Sequence, residues 1–213
     1  MLRCATSLWS ADLANLASEI ERVEPHSERF HLDVADGRYV PTLLFFPDLV
    51  AAVRRHAAIP LEVHLMTADP LAWVGPFADA GADGFIFCLD SADDPAGVIR
   101  AVKGRGKFVG VSLRVEDGLE RVEPYWADLD LVTIFGTGVG VKGAPMAAGT
   151  PEKVRRAREL IDRRGLPAEV EVDGGIRRET VPPVHAAGAD WIVPGSLMFG
   201  EDPAGMRRWL ASL

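Results

Sequence analysis

Short apolar runs recur at regular intervals along this chain, and that rhythm limits its possible folds more than any other property of the sequence. Runs rich in Val, Ile, Leu and Phe span Cys4 to Leu8, Arg29 to Val34, Pro60 to Leu65, Gly84 to Leu89, Phe108 to Leu113, Leu131 to Phe135, Glu169 to Asp173 and Trp191 to Val193. Each has the length and side-chain content of a strand. Between them lie longer segments with an apolar stripe and a charged face: Ala11 to Val23, Pro47 to His56, Pro70 to Ala80, Asp94 to Lys103, Gly118 to Tyr125, Pro151 to Arg163, Thr180 to Ala187 and Pro203 to Leu213. That pattern predicts amphipathic helices. Several carry start signals, such as Ser10 before Ala11 and Thr150 before Pro151.

Runs that are apolar on both faces, such as Val109 to Val111, predict a parallel sheet covered on each side. Strict alternation of strand and helix demands right-handed crossovers, and eight such units close into a single (β/α)8 TIM barrel, an α/β fold. With 213 residues the chain allots about 27 to each unit, so one barrel domain over residues 1–213 is expected, with almost no insertion. A doubly wound open sheet is the structural rival. Ala80-Gly81-Ala82-Asp83 and Ala187-Gly188-Ala189-Asp190 echo one another, each closing a helix with Gly and launching a strand.

Composition removes several classes of function. Hydrophobic residues at 48% and charged residues at 25% exclude a disordered or fibrous chain. Lys plus Arg is 23 and Asp plus Glu is 31, a net charge of −8 that opposes binding to nucleic acid or an anionic membrane. Cys4 and Cys88 form no CxxC pair and suit a reduced, cytoplasmic setting. The longest uncharged stretch, Leu131 to Val141, is too short to span a bilayer, and Asp12 comes too early for a signal peptide.

In a barrel of this kind the C-terminal ends of the strands face the active site. The second strand ends in Phe30-His31-Leu32-Asp33-Val34, and a spacing of two puts His31 and Asp33 on one face. The third ends in Glu62-Val63-His64-Leu65-Met66, with His64 on the face of Glu62 and Met66; the seventh ends in Asp173 before Gly174-Gly175. Two histidines and two aspartates at one mouth predict a site for one divalent metal ion, and Zn²⁺, Fe²⁺, Mn²⁺ and Co²⁺ all suit the donors. His26, His56 and His185 fall in helical or loop patterns and read as surface residues. Gly-rich turns follow the late strands at Gly136 to Gly143, at Gly174-Gly175 and at Gly195-Ser196, where barrels often hold a phosphate.

Ser7-Leu8-Trp9-Ser10-Ala11-Asp12-Leu13, His31 to Pro41, His64-Leu65-Met66, Glu171 to Gly175 and Gly195-Ser196, taken in order, resemble the ribulose-phosphate 3-epimerase family over essentially the full length. The resemblance implies a metal-dependent isomerase of carbohydrate metabolism that inverts carbon 3 of a ketose phosphate such as ribulose 5-phosphate. It further implies His31, Asp33, His64 and Asp173 as metal ligands, with Asp33 and Asp173 as the catalytic acid and base. Ser7, His64, Met66, Gly138, Gly140, Lys142, Gly174, Gly175, Gly195 and Ser196 would bind the substrate. It implies a homo-oligomer, dimer or hexamer; Trp73, Trp126 and Trp209 lie on helical segments and are expected to pack mainly on the barrel.

The motifs also depart from the family pattern. Ala35 and Thr133 stand where methionines are usual, Cys88 where a His is common, and Lys142 lies in a loop that replaces Pro-Gly-Phe-Gly-Gly-Gln. These changes leave open a paralogue acting on another ketose phosphate, such as allulose 6-phosphate, and a metal-dependent sugar-phosphate isomerase or aldolase. The chemistry itself needs two carboxylates on opposite faces of the reacting carbon.

Overall fold

A computed structural model describes residues 2–200 and 202–213. Nine strands form among them: β1 (Arg3–Ser7), β2 (Arg29–Asp36), β3 (Leu43–Leu44), β4 (Leu61–Met66), β5 (Gly84–Cys88), β6 (Phe108–Leu113), β7 (Leu131–Phe135), β8 (Glu169–Asp173) and β9 (Trp191–Val193). Eight of them run parallel in the order β1-β9-β8-β7-β6-β5-β4-β2, and pairing of β1 with β2 closes a single (β/α)8 barrel. The short β3 folds back antiparallel on the end of β2, with Ala35 opposite Leu44.

The outer ring comprises α1 (Leu16–Val23), α2 (Pro47–His56), α3 (Pro70–Asp79), α4 (Pro95–Lys103), α5 (Thr150–Arg164), α6 (Val181–Ala186), α7 (Ser196–Phe199) and α8 (Pro203–Leu210). Two expected helices change. Leu13–Asn15 form a 3₁₀ turn capped by Asp12, and α1 starts only at Leu16. The expected helix at Gly118 to Tyr125 is absent. Short 3₁₀ turns at Leu119–Val122 and Trp126–Asp128 replace it, because Pro124 restricts the residue before it and lacks an amide to continue a helix. Trp126 is buried there, Trp209 is half-buried on α8, and Trp73 on α3 stays partly exposed.

Strand alternation divides the core in two. Outward residues such as Phe30, Leu32, Val63, Phe85, Val111 and Ile134 pack under the helices. Inward residues fill the barrel in tiers: Ala5, Ile86, Leu131, Trp191 and Val193 form one apolar cluster, and Ala35, Val40, Met66, Cys88 and Phe135 another. Arg29, Glu62, Glu171, His31, His64, Ser112 and Thr133 are polar and buried on the same inward-facing strands.

The repeated Ala-Gly-Ala-Asp corners have a common construction at the N-terminal end of the barrel. Asp83 accepts from the Leu61 amide at 2.9 Å and from Arg54 at 3.0 Å. Asp190 accepts from the Val170 amide at 2.8 Å and from Arg158 at 3.0 Å. Gly81 and Gly188 adopt φ of +102° and +101°, and a Cβ on either would lie 2.7 or 2.6 Å from the stem of that arginine. Only glycine accommodates both the left-handed backbone and the close approach.

Candidate active site

The inward faces of β2, β4 and β8 bring His31, Asp33, His64 and Asp173 together, with one ligand atom of each within 4.8 Å of the others. The β2–β4 register sets Asp33 beside His64, and a step of two residues keeps His31 on the same inner face. His31 Nε2 lies 3.5 Å from Asp33 Oδ1, 3.8 Å from Asp173 Oδ2 and 3.2 Å from His64 Nδ1. His64 Nδ1 lies 3.6 Å from Asp173 Oδ2. Ser7 Oγ donates to Asp33 Oδ2 at 2.7 Å, so the other oxygen of that carboxylate faces the histidines.

On its far side His31 Nδ1 meets Glu62 Oε1 at 2.7 Å. An ionised carboxylate only accepts, so Nδ1 carries a proton and Nε2 is the nitrogen turned to the mouth. Burial raises the cost of ionising Glu62, but the Arg29 guanidinium and the His31 hydrogen bond hold its carboxyl below the ordinary range. Burial likewise opposes charge on His31, yet Asp33, Glu62 and Asp173 outweigh it and lift the imidazole well above its usual value. At His64 burial is overcome chiefly by the hydrogen bond toward Asp173, and its pKa stands at about 9. Asp33, for its part, sits below the usual carboxylate range despite burial because His31, His64 and Ser7 favour its charged form.

These shifts describe a pocket whose field favours positive charge. A cation that displaced the imidazole protons would meet four converging acceptors, His31 Nε2, His64 Nδ1 and one carboxylate oxygen each from Asp33 and Asp173. Two imidazole nitrogens and two carboxylates fit a divalent transition ion. A second grouping, His31, Glu62 and Glu171, is also compact. Arg29 bridges Glu62 at 2.9 Å and Glu171 at 2.7 Å while stacking 3.6 Å from the Trp191 ring centre, and burial, with Glu62 beside it, pushes the Glu171 carboxyl up to about 7, so little negative charge is left there for a second cation.

A cavity of about 150 Å³ opens at the mouth. Ser7, Asp33, Met66 and Asp173 line it on the histidine side, and Gly138, Gly140, Lys142, Gly174, Gly175, Gly195 and Ser196 line it on the side of the late loops. Gly174 and Gly175 turn with φ of +90° and +69°, and a Cβ on Gly175 would lie 2.7 Å from the Met146 backbone. The cavity thus gathers every expected binding residue except His64, which is fully buried with His31. Lys142 Nζ donates to the Trp9 carbonyl at 2.7 Å, so the cation spans the mouth.

Three features escaped the reading of the sequence. Arg177, just past the Gly174-Gly175 turn, also lines the cavity and donates to the Ile176 carbonyl at 2.8 Å. Phe135 stacks on the His64 ring with centres 5.1 Å apart; the inward parity of Leu131, Thr133 and Phe135 was the available signal. Thr133, which stands where the family usually has a methionine, donates to Glu171 Oε1 at 2.9 Å within the buried polar band. Of the histidines expected at the surface, His56 is exposed, whereas His26 and His185 are half-buried.

Fold and site together define a class: a (β/α)8 enzyme with a histidine–aspartate cluster and glycine-rich turns at the C-terminal mouth of its barrel. The model of the ribulose-phosphate 3-epimerase family matches residues 3–199, and the chain belongs to that family, an isomerase acting on carbohydrates. It is 34% identical over 203 residues to ribulose-phosphate 3-epimerase of Bacillus subtilis (strain 168), covering 94% of each chain. It is 35% identical over 208 residues to the cytoplasmic isoform from Oryza sativa subsp. japonica, covering 95% of this chain and 90% of that one. Among solved structures, 3-keto-L-gulonate-6-phosphate decarboxylase from Vibrio cholerae O1 biovar El Tor superposes with a TM-score of 0.74 at 12% identity, over 99% of this chain and 95% of that one. That similarity establishes the barrel alone.

Proposed function

We propose that this protein interconverts ribulose 5-phosphate and xylulose 5-phosphate by inverting carbon 3. The observation that carries the reading is the pair Asp33 and Asp173, delivered by β2 and β8 to the cluster that includes His31 and His64. The adjacent ketone acidifies the hydrogen on carbon 3. One carboxylate removes it from one face, leaving an enediolate, and the other carboxylate returns a proton to the opposite face. Asp33, fixed by Ser7, keeps one oxygen free for this exchange. A single divalent ion held by His31, Asp33, His64 and Asp173 would supply Lewis-acid stabilisation of the negative charge that develops on the substrate oxygens. The apolar cluster of Met66 and Phe135 keeps bulk water from the reacting face.

The phosphate would lie against the turns at Gly138 and Gly140, Gly174 and Gly175, and Gly195 and Ser196. Lys142 and Arg177 supply positive charge there, and each rests on a backbone carbonyl that a ligand can displace. One observation favours a second reading, a different ketose phosphate such as allulose 6-phosphate: Ala35 and Cys88 make the apolar wall beside Met66 from small side chains. Incubating metal-loaded protein with ketose 5- and 6-phosphates in D₂O tests both readings. Deuterium entering at carbon 3, without cleavage of the sugar, is the expected result; no exchange with any substrate overturns the proposal.

The chain would act as one domain in the cytoplasm, where its two buried free cysteines stay reduced. None of its described helices is long and apolar enough to cross a membrane. A homo-oligomer, dimer or hexamer, is supported by the exposed apolar side chains of Leu43, Phe46 and Trp73. Sedimentation of the wild type and of Phe46→Glu tests that assembly, and a monomeric wild type overturns it.

A further inference from the structure

His31 and His64 meet the site through different nitrogens, and each is held from behind by a different kind of group. His31 turns Nδ1 toward the Glu62 carboxylate, which fixes its tautomer by charge. His64 turns Nε2 toward the hydroxyl of Ser112 at 3.0 Å, and Ser112 in turn donates to Cys88 Sγ at 3.4 Å. His64, Ser112 and Cys88 are all buried, on β4, β6 and β5, and Ser112 pairs with Cys88 in the β5–β6 register.

A hydroxyl can donate or accept, so Ser112 alone would not choose a tautomer for His64. Its own proton decides. With that proton given to Cys88, the oxygen is left to accept from His64 Nε2–H, and Nδ1 then carries a lone pair aimed at His31 and Asp173. Were the chain reversed, a proton on Nδ1 would sit 3.2 Å from His31 Nε2, where the ligand cluster needs a free electron pair.

We propose that Ser112 is the positioning residue of His64: with Cys88 accepting its proton, it holds the tautomer in which Nδ1 is free to bind a divalent cation. The inference rests on the cation reading of the site. Hydrogen-bond acceptors behind metal-binding histidines commonly contribute about 10–100-fold in affinity, and an effect of that size is expected here.

Chelator competition with Zn²⁺ and with Co²⁺ on the full chain reads the effect directly. Ser112→Ala is expected to weaken binding by about 10–100-fold. Ser112→Thr, which keeps the hydroxyl, is expected to restore affinity to near the wild-type value. Cys88→Ala should weaken binding less than Ser112→Ala, because it removes only the acceptor at the end of the chain. In Zn²⁺-loaded protein, nitrogen NMR should find the His64 Nε2 proton hydrogen-bonded in the wild type and in Ser112→Thr and without that partner in Ser112→Ala, a change that lost packing alone would not produce.

Wild-type affinity in Ser112→Ala overturns the proposal while leaving the cation site intact. A loss in Cys88→Ala as large as that of a ligand variant such as His64→Ala also overturns it, since the sulfur would then be a ligand. A wild-type chain that holds neither metal overturns the cation reading and this inference with it.

Discussion

The two ends of the barrel use the same side chain in opposite ways. At the N-terminal end, Asp83, Asp130 and Asp190 accept from the backbone amides of Leu61, Val109 and Val170. Two of the three are also paired with an arginine. At the C-terminal mouth, Asp33 and Asp173 are crowded against two histidines, and the hydroxyl of Ser7 is the neutral donor that steadies Asp33. The three carboxylates below are tied to backbone amides and hold strands in register; Asp33 and Asp173 above are tied to side chains that can exchange protons. The difference shows where the barrel trades stability for chemistry.

Substitutions at the two ends should therefore fail in different ways. The largest effect is expected from Asp173→Asn, which should lower kcat by ~10²–10⁴-fold, as loss of a general acid or base does, with little change in the urea midpoint. Steady-state kinetics on the folded variant checks this, and retention of wild-type turnover breaks the comparison. Asp190→Ala should do the reverse. It leaves the Val170 amide without its acceptor and Arg158 with Asp162 alone, and is expected to cost about 1–3 kcal/mol in urea unfolding, with kcat unchanged for the folded fraction.

Smaller effects sharpen the contrast. Lys142→Ala and Arg177→Ala should each raise KM for the sugar phosphate by about 3–10-fold with kcat nearly retained, roughly 1 kcal/mol of phosphate binding apiece. A rise in ionic strength should reproduce part of that loss in the wild type.

Lys153 is the exception on the mouth side, a charge used for structure. Its ammonium donates to the carbonyls of Arg114 and Asp117, and burial lowers its pKa to about 8. The unfolded chain, with an ordinary lysine, then binds more protons than the folded one between about pH 8 and 10.5, so stability should rise with pH across that window. Lys153→Met should flatten that rise, which amounts to at most about 1 kcal/mol per pH unit, in denaturation curves taken at several pH values.

Much of this arrangement was legible in the sequence. Inward alternation along His31-Leu32-Asp33 and Glu62-Val63-His64, together with strand-end placement, brought the histidines and aspartates to one mouth because those relations are local to one strand. Relations between strands were not legible. Whether Arg29 meets Glu62 and Glu171, or Ser112 meets His64, depends on the stagger of neighbouring strands around the closed barrel, which no single run of residues encodes. Thr133 shows the same limit: its parity turns it inward, but its place beside Glu171 follows from the register of β7 on β8. The missing helix before β7 had a visible cause in Pro124, which the apolar stripe around it concealed.

That connection has a bearing on motion. Where other strands are roofed by whole helices, the passage from β6 to β7 is covered by two short turns and the indole of Trp126, with Lys153 of α5 fastening the turn after β6. Few backbone amides there are locked in a helical ladder, so hydrogen exchange should begin at this seam before the rest of the barrel opens. Ser112 and Thr133 lie on the two strands it exposes. The first part of the wall to loosen is thus the part that stands behind His64 and beneath Phe135, and breathing of the scaffold would reach the histidine–aspartate cluster from its protein side before it reached the solvent-facing loops.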